Sequence, residues 1–151
     1  MLKRVDFRSD TRKVIQSFPR DVRDSLGKAL LVAQMGGRDK RAKPLQGFGG
    51  AQVMEICDNC PDGAFRAIYT TMIQDVVVVI HAFQKKSTKG ISTPKREIDL
   101  IRQRLKEVKV FARSYRQDSA ANREQYAKIF NYQKPGIKLS SNSYSCAAGV
   151  D

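Results

Sequence analysis

The sequence predicts an α+β domain in which helices pack against one antiparallel sheet. Three strand-like runs follow one another in the middle of the chain, and amphipathic helical stretches lie before and after them. A length of 151 residues with 41% apolar residues provides for one core of modest size. A mean hydropathy of −0.46 and a charged fraction of 28% exclude an integral membrane protein.

The N-terminal part of the chain predicts a short strand and two helices. Residues 3–7 alternate as a strand does, and Asp10 offers an N-cap for a first short helix. Pro19 suits the first turn of a second helix, which Gly36 and Gly37 end. The apolar residues of this second helix recur with helical spacing: Val22, Leu26, Ala29, Leu30 and Ala33.

A loop and three strands follow. Residues 38–50 combine several cations with Pro44 and glycines, which predicts a basic loop. The strands are predicted at residues 52–57, 64–72 and 75–83. A turn is expected at residues 58–63, so the three strands form a meander. Because Val76 to Ile80 is an unbroken apolar run, both faces of the third strand should be covered, which favours a central place in the sheet.

One more helix ends the predicted domain. Thr93 can cap this helix and Pro94 can take its first position. Its apolar stripe consists of Ile98, Ile101, Leu105, Val108 and Ala112. Beyond about Arg113 the pattern decays into polar residues, so we expect a domain over residues 1–113 and a polar, partly disordered extension over residues 114–151.

The cysteines and the N-terminal residues indicate in which cellular compartment the protein is expected. The chain has three cysteines, and Cys57 and Cys60 form the only close pair, with C-x-x-C spacing. Structural zinc needs four ligands, and the other candidates, His81 and Cys146, are not in ligand spacing with each other. We therefore expect reduced thiols in a turn, no metal and no cofactor. No apolar stretch follows the basic N-terminal residues, so a secretory signal is not predicted and the cytoplasm is the expected location.

The charge balance predicts a polyanionic partner. The chain has 28 Lys and Arg against 15 Asp and Glu, a formal net charge of +13. Nucleic acid, an acidic protein and an anionic membrane surface all fit this excess. The acidic residues are dispersed along the sequence, which argues against a two-metal nuclease, and a single histidine excludes a two-histidine acid/base mechanism.

Cations nevertheless converge on one edge of the predicted sheet. They are Arg66, His81, Lys85, Lys86, Lys89 and Lys95. Such a set can bind RNA phosphates and stabilise a pentacovalent phosphorane without a metal, because a 2′-hydroxyl can serve as the internal nucleophile. Simpler interpretations stay open: His81 can be a structural histidine, Arg66 an ion-pair partner of Glu55 or Asp75, and the lysines a solvated loop.

Several motifs in the chain resemble a known family. Residues 81–89 read His-Ala-Phe-Gln-Lys-Lys-Ser-Thr-Lys, and residues 93–98 read Thr-Pro-Lys-Arg-Glu-Ile. Together with Lys-Pro-Leu-Gln-Gly at 43–47 and Gly-Ala-Phe-Arg-Ala-Ile-Tyr at 63–69, they resemble the signature of phage-derived, HigB-like toxins of the RelE/ParE superfamily. The resemblance covers roughly residues 3–112.

The resemblance implies a RelE-like fold and the toxin of a type II toxin–antitoxin system. Such toxins are endoribonucleases that cleave mRNA, generally in the ribosomal A site, and use basic residues rather than a metal. The implied partners are mRNA, the ribosome and a small helix-turn-helix antitoxin, with no membrane involved.

The resemblance also implies roles for individual residues. Arg66 matches the arginine that stabilises transition-state charge, and His81 matches a candidate acid or base. Lys85 and Lys86 match the paired lysines, which we assign to phosphate or ribosomal RNA; Lys85 is also a catalytic candidate. The remaining residues expected to bind RNA are Lys43, Lys89 and Lys95.

One departure concerns the first strand of the meander. Members commonly have Glu-Leu-Arg where this chain has Glu55, Ile56 and Cys57, so a thiol replaces a basic side chain. Two alternatives follow from the family: a ParE-like inhibitor of DNA gyrase, and a degenerate phage-derived protein that binds nucleic acid or an antitoxin without cleaving RNA.

Overall fold

One five-stranded sheet and three helices make up the part of the chain that the structure describes. The computed structural model describes residues 2–49, 52–73, 75–85 and 92–117, with side chains up to residue 113. In chain order the elements are β1 (Arg4–Phe7), α1 (Thr11–Gln16), α2 (Arg20–Gln34), β2 (Ala42–Pro44), β3 (Val53–Cys60), β4 (Gly63–Ile73), β5 (Val76–Lys85) and α3 (Lys95–Gln117). The predicted α+β class is confirmed.

The sheet is mixed, with the strand order β1-β5-β4-β3-β2. Strands β3, β4 and β5 are successive antiparallel neighbours, β2 is antiparallel to β3, and β1 is parallel to β5. The sequence predicted four of these five strands, the short N-terminal one and the three of the meander. The missing strand β2 has only three residues, too few to show a period in the basic segment that we expected to be a loop.

The position of β5 follows from its composition. All its residues from Val76 to Phe83 are buried, as an uninterrupted apolar run predicts. It lies between β1 and β4, so it is an inner strand, whereas the middle position belongs to β4.

The hairpin between β3 and β4 is tighter than the sequence suggested. Strand β3 continues to Cys60, which pairs with Gly63, and only Pro61 and Asp62 form the loop. Gly63 has φ +135°, and a Cβ there would lie 3.0 Å from Gln84 Nε2, so this position needs glycine. The expected turn over residues 58–63 is wrong because a two-residue connection suffices.

Helices cover both faces of the sheet. The apolar residues of α2, with Ile15 and Phe18 around α1, pack on one face against strand residues such as Phe65 and Val77. All five predicted core residues of α2 are buried: Val22, Leu26, Ala29, Leu30 and Ala33. Helix α3 covers the opposite face, where Ile101 and Leu105 contact Ile68 and Ile80. We call this second surface the α3 face.

The helix boundaries differ slightly from the predictions. Pro19 is the N-cap of α2 and not its first residue, and α3 continues past Arg113 to Gln117. The rest of the expected C-terminal extension, residues 118–151, lies outside the described residues. In the described part of the chain, no helix combines the length and apolar character needed to cross a membrane.

Candidate functional site

The register of the sheet places several charged side chains in one row on the α3 face. Lys43 on β2 pairs with Glu55 on β3, Glu55 pairs with Ile68 on β4, and Ile68 pairs with His81 on β5. Ile68 packs against α3, which identifies the face for the whole row. Lys43 and His81, two of the predicted site residues, therefore share one surface.

The next two rows of the same face hold two more predicted residues. Arg66 pairs with Cys57 on one side and with Phe83 on the other, and Lys85 pairs with Ala64. Arg66 is thus a diagonal neighbour of His81 across β4 and β5. The four predicted strand residues that the structure describes therefore lie on one face of the sheet, with Arg66 diagonal to His81 and Lys43 three strands away from it.

A β-bulge in β5 is what turns His81 towards this face. Ile68 pairs with His81 but Tyr69 pairs with Val79, so Ile80 is an extra residue on β5. With strict alternation His81 would follow Val79 onto the surface covered by α2. The bulge places the side chains of Ile80 and His81 on the same side of the sheet.

The carbonyl of the bulged residue has its own partners. The guanidinium of Arg104 donates to Ile80 O at 3.0 Å, and Thr11 Oγ1 donates to the same oxygen at 3.3 Å. Both donors come from helices, so the sheet and its helical layers together stabilise the irregularity. No local sequence signal marked this bulge.

His81 is buried between two charged residues of α3. It is 7% exposed; its Nε2 contacts the carboxylate of Glu97, and its Nδ1 lies 2.9 Å from Arg104 NH1. Its ring also stacks on Phe83 with the centroids 5.5 Å apart. Burial lowers the pKa of His81, with a further lowering from Arg104 and opposing effects from Glu97 and Asp10. Desolvation is a larger cause of this lowering than the neighbouring guanidinium of Arg104.

Glu97 and Arg104 were absent from the predicted site. They lie seven residues apart on α3, in the same stripe as Ile101 and Val108. A charged pair at helical spacing within an apolar stripe was the signal in the sequence that could have identified them.

Arg66 is also paired with a carboxylate. It is 8% exposed, contacts Glu55 through NH1, and lies 3.4 Å from Thr93 Oγ1. Thr93, which we expected to cap α3, donates to Glu55 at 3.2 Å. The sequence left Glu55 and Asp75 open as ion-pair partners of Arg66, and the structure pairs this arginine with Glu55.

The predicted lysines have different environments. Lys85 Nζ donates to Ser92 O at 2.9 Å, which joins the end of β5 to the segment before α3. Lys43 and Lys95 are exposed, the latter at the first residue of α3. Lys86 and Lys89 lie outside the described residues.

The C-x-x-C pair does not form a joint site. Both cysteines are on β3 and not in a turn, and an i, i+3 spacing on a strand directs their side chains to opposite faces. Cys57 lies on the α3 face beside Arg66, and burial raises the pKa of its thiol. Within the described residues, no group of three or more His, Cys, Asp and Glu side chains is arranged to hold a metal ion.

The arrangement can bind an anion at the α3 face. Two cationic or hydrogen-bonding side chains, Arg66 and His81, already hold carboxylates there, and a phosphate group could replace either carboxylate. The exposed Lys43 and the nearby Lys85 add positive charge around the same rows.

Comparison with known proteins adds one match. The family model described as "Phage derived protein Gp49-like (DUF891)" matches residues 13–106, more than half of the chain. This stretch includes every described residue of the α3 face discussed above. No curated protein matches the chain.

Proposed function

We propose, on the premise that this chain belongs to the Gp49-like family of phage-derived proteins, that it is the toxin of a type II toxin–antitoxin system. Its activity would be metal-independent cleavage of mRNA on the ribosome. The observation that carries the proposal is the gathering of Lys43, Arg66, His81 and Lys85 on one face of the sheet.

The chemistry requires only the RNA itself and these side chains. The 2′-oxygen of a ribose forms a bond to the adjacent phosphorus while the bond from phosphorus to the 5′-oxygen breaks. The 2′-hydroxyl loses its proton to a base, and the leaving 5′-oxygen gains one. Arg66 stabilises the charge that develops on the phosphorane oxygens, Lys85 neutralises the phosphate, and His81 acts at the reacting oxygens as acid, base or hydrogen-bond donor.

Phosphate must compete with the two carboxylates for this site. Arg66 exchanges Glu55 for a phosphate oxygen, and His81 exchanges Glu97. The carboxylate released from Arg66 then lies beside the reacting group, where it can accept a proton. Arg66 keeps an anionic partner throughout the exchange, because a phosphate oxygen takes the place of the carboxylate oxygen.

Replacement of His81 by alanine should abolish the growth arrest caused by induced expression in a bacterial host. Primer extension on a reporter mRNA should show codon-associated cleavage with the unaltered protein and none with His81→Ala. A matched control is Lys28→Ala, an exposed residue on the helix that covers the other face. Circular dichroism establishes that each variant is folded, and full toxicity of a folded His81→Ala variant would contradict the assignment.

The same experiment separates the proposal from gyrase inhibition. Intact mRNA together with altered plasmid supercoiling would identify a ParE-like toxin. A short helix-turn-helix protein encoded beside this chain should bind it and restore growth, as expected for the antitoxin.

A second candidate function is binding without cleavage. It is favoured by the carboxylate partners of Arg66 and His81 and by Cys57, which replaces the arginine common in the resembled family. In that case purified protein and ribosomes would leave mRNA intact, while RNA or antitoxin binding would persist.

The exposed Lys43 provides a test of RNA binding apart from cleavage. We expect Lys43→Ala to weaken binding to a 2′-O-methyl RNA, which lacks the nucleophile, and to reduce the slope of log affinity against log salt by about one. Fluorescence anisotropy over a series of salt concentrations measures both. Lys28→Ala is the control, and an unchanged slope in Lys43→Ala would place the phosphate contacts elsewhere.

A further inference from the structure

Arg104 connects three parts of the fold around His81. Its guanidinium donates to Ile80 O at 3.0 Å and lies 2.9 Å from His81 Nδ1. It also lies 3.4 Å from Thr11 Oγ1 and 3.2 Å from Asp10 Oδ1, and its side chain is only 12% exposed. A long, flexible side chain with contacts on β5, on α1 and before α1 is held in one orientation.

These contacts determine which nitrogen of His81 carries a proton. A guanidinium has only N–H donors, so the Nδ1 atom that it approaches must accept with its lone pair. The ring proton is then on Nε2, where it points to the carboxylate of Glu97, a pure acceptor when ionised.

We propose that Arg104 is a positioning residue that fixes His81 as the neutral tautomer with its proton on Nε2. His81 thereby offers a hydrogen bond from Nε2 to an anionic oxygen and does not act as a base. The anionic oxygen is that of Glu97 in this structure and, resting on the proposed function, that of an RNA phosphate during cleavage.

The charges around His81 oppose one another, and its burial favours the neutral ring. From α3 it faces Glu97 and Arg104, and Asp10 lies beyond Arg104. On the sheet, Arg66 and Glu55 occupy neighbouring positions of the same face and form their own pair. The carboxylates of Glu97 and Asp10 favour an imidazolium, whereas burial and the adjacent guanidinium oppose it.

The single histidine of the chain makes the test direct. Nitrogen-15 NMR of protein labelled at histidine reports the protonation of each ring nitrogen without interference from another residue. In the unaltered protein at neutral pH we expect a protonated Nε2 and an unprotonated Nδ1, with a titration midpoint below the usual value for histidine. A protonated Nδ1, or an equal mixture of tautomers, would overturn the proposal.

Variants of Arg104 test whether this residue causes the tautomer preference of His81. Arg104→Met keeps an unbranched side chain but removes the donor and the charge, so the titration midpoint should rise and the tautomer preference should weaken. Arg104→Lys retains a cationic donor and should keep the Nε2–H tautomer. The control is Arg102→Met, the same substitution at an exposed position of the same helix. An unchanged spectrum in folded Arg104→Met would overturn the role of Arg104.

The spectra and the RNA assay are independent. NMR is recorded on the protein alone, so a protein that fails to cleave RNA can still confirm the tautomer. Conversely, cleavage with a protonated Nδ1 would support the proposed function and reject the inference.

Discussion

Replacing Arg66 by alanine should lower the rate of RNA cleavage by about 10²–10³-fold and abolish growth arrest. Loss of one preorganised donor to developing charge has an effect of this order in enzymes that stabilise an oxyanion. Arg66 is well placed for this role, because it is buried on β4, diagonal to His81, and held by Glu55 and Thr93. Cleavage of a reporter RNA in the presence of ribosomes measures the effect.

The experiment on Arg66→Ala must distinguish a loss of catalysis from a loss of the folded structure. Alanine at position 66 leaves the largely buried Glu55 without its arginine, which destabilises a protein by about 3–5 kcal/mol in comparable pairs. Arg66→Lys keeps a cation beside Glu55 but lacks the planar fork of donors, so we expect a folded protein with an intermediate rate. Arg102→Ala, at an exposed position of α3, is the control. A folded Arg66→Ala protein with full activity would refute the assignment.

Replacing Asp6 by asparagine should stabilise the protein by about 2–4 kcal/mol at pH 8. Asp6 is 8% exposed on β1, opposite Val78, and its Oδ2 has no hydrogen-bond partner within the part of the chain that the structure describes. Burial raises the pKa of this carboxyl from 3.8 to about 7, against a smaller lowering by Phe7 N–H and Arg8.

The sign of the effect depends on pH. The folded protein holds the Asp6 proton up to about pH 7, whereas the unfolded chain releases it near pH 4, so stability falls as the pH rises between these values. Above pH 7 the full cost of a buried carboxylate is present, and asparagine removes it. Urea unfolding at pH 5 and pH 8 should show a larger gain at pH 8. Asp99→Asn is the exposed control, and equal gains at both pH values would exclude a raised pKa as the cause.

Much of the fold could be predicted because its signals are local. The apolar spacing of α2, the unbroken run from Val76 to Ile80 and the glycines after α2 each report on the segment that contains them. Strand β2 was not predicted because three residues are too few to show a period. The turn was predicted to begin at Asp58, although strand β3 continues to Cys60, because turn-forming residues do not show where strand pairing stops.

The site was harder to predict than the fold because it depends on register. Sequence reasoning named Arg66 and His81, but alternation alone places His81 on the wrong face, and only the extra residue at Ile80 corrects this. The Ile80 carbonyl is held by Arg104 and Thr11, which are distant in sequence. Their contacts form only in the folded chain, so no pattern in β5 could reveal them.

The parallel pairing of β1 with β5 has a consequence for how the protein is made. Arg4 pairs with Val76, so β1 can enter the sheet only after β5 has been synthesised. Such non-local pairing is slow to form. The elements that orient His81 come from both ends of this interval and from α3, which follows it. A growing chain therefore cannot assemble the contacts of His81 until α3 has been synthesised.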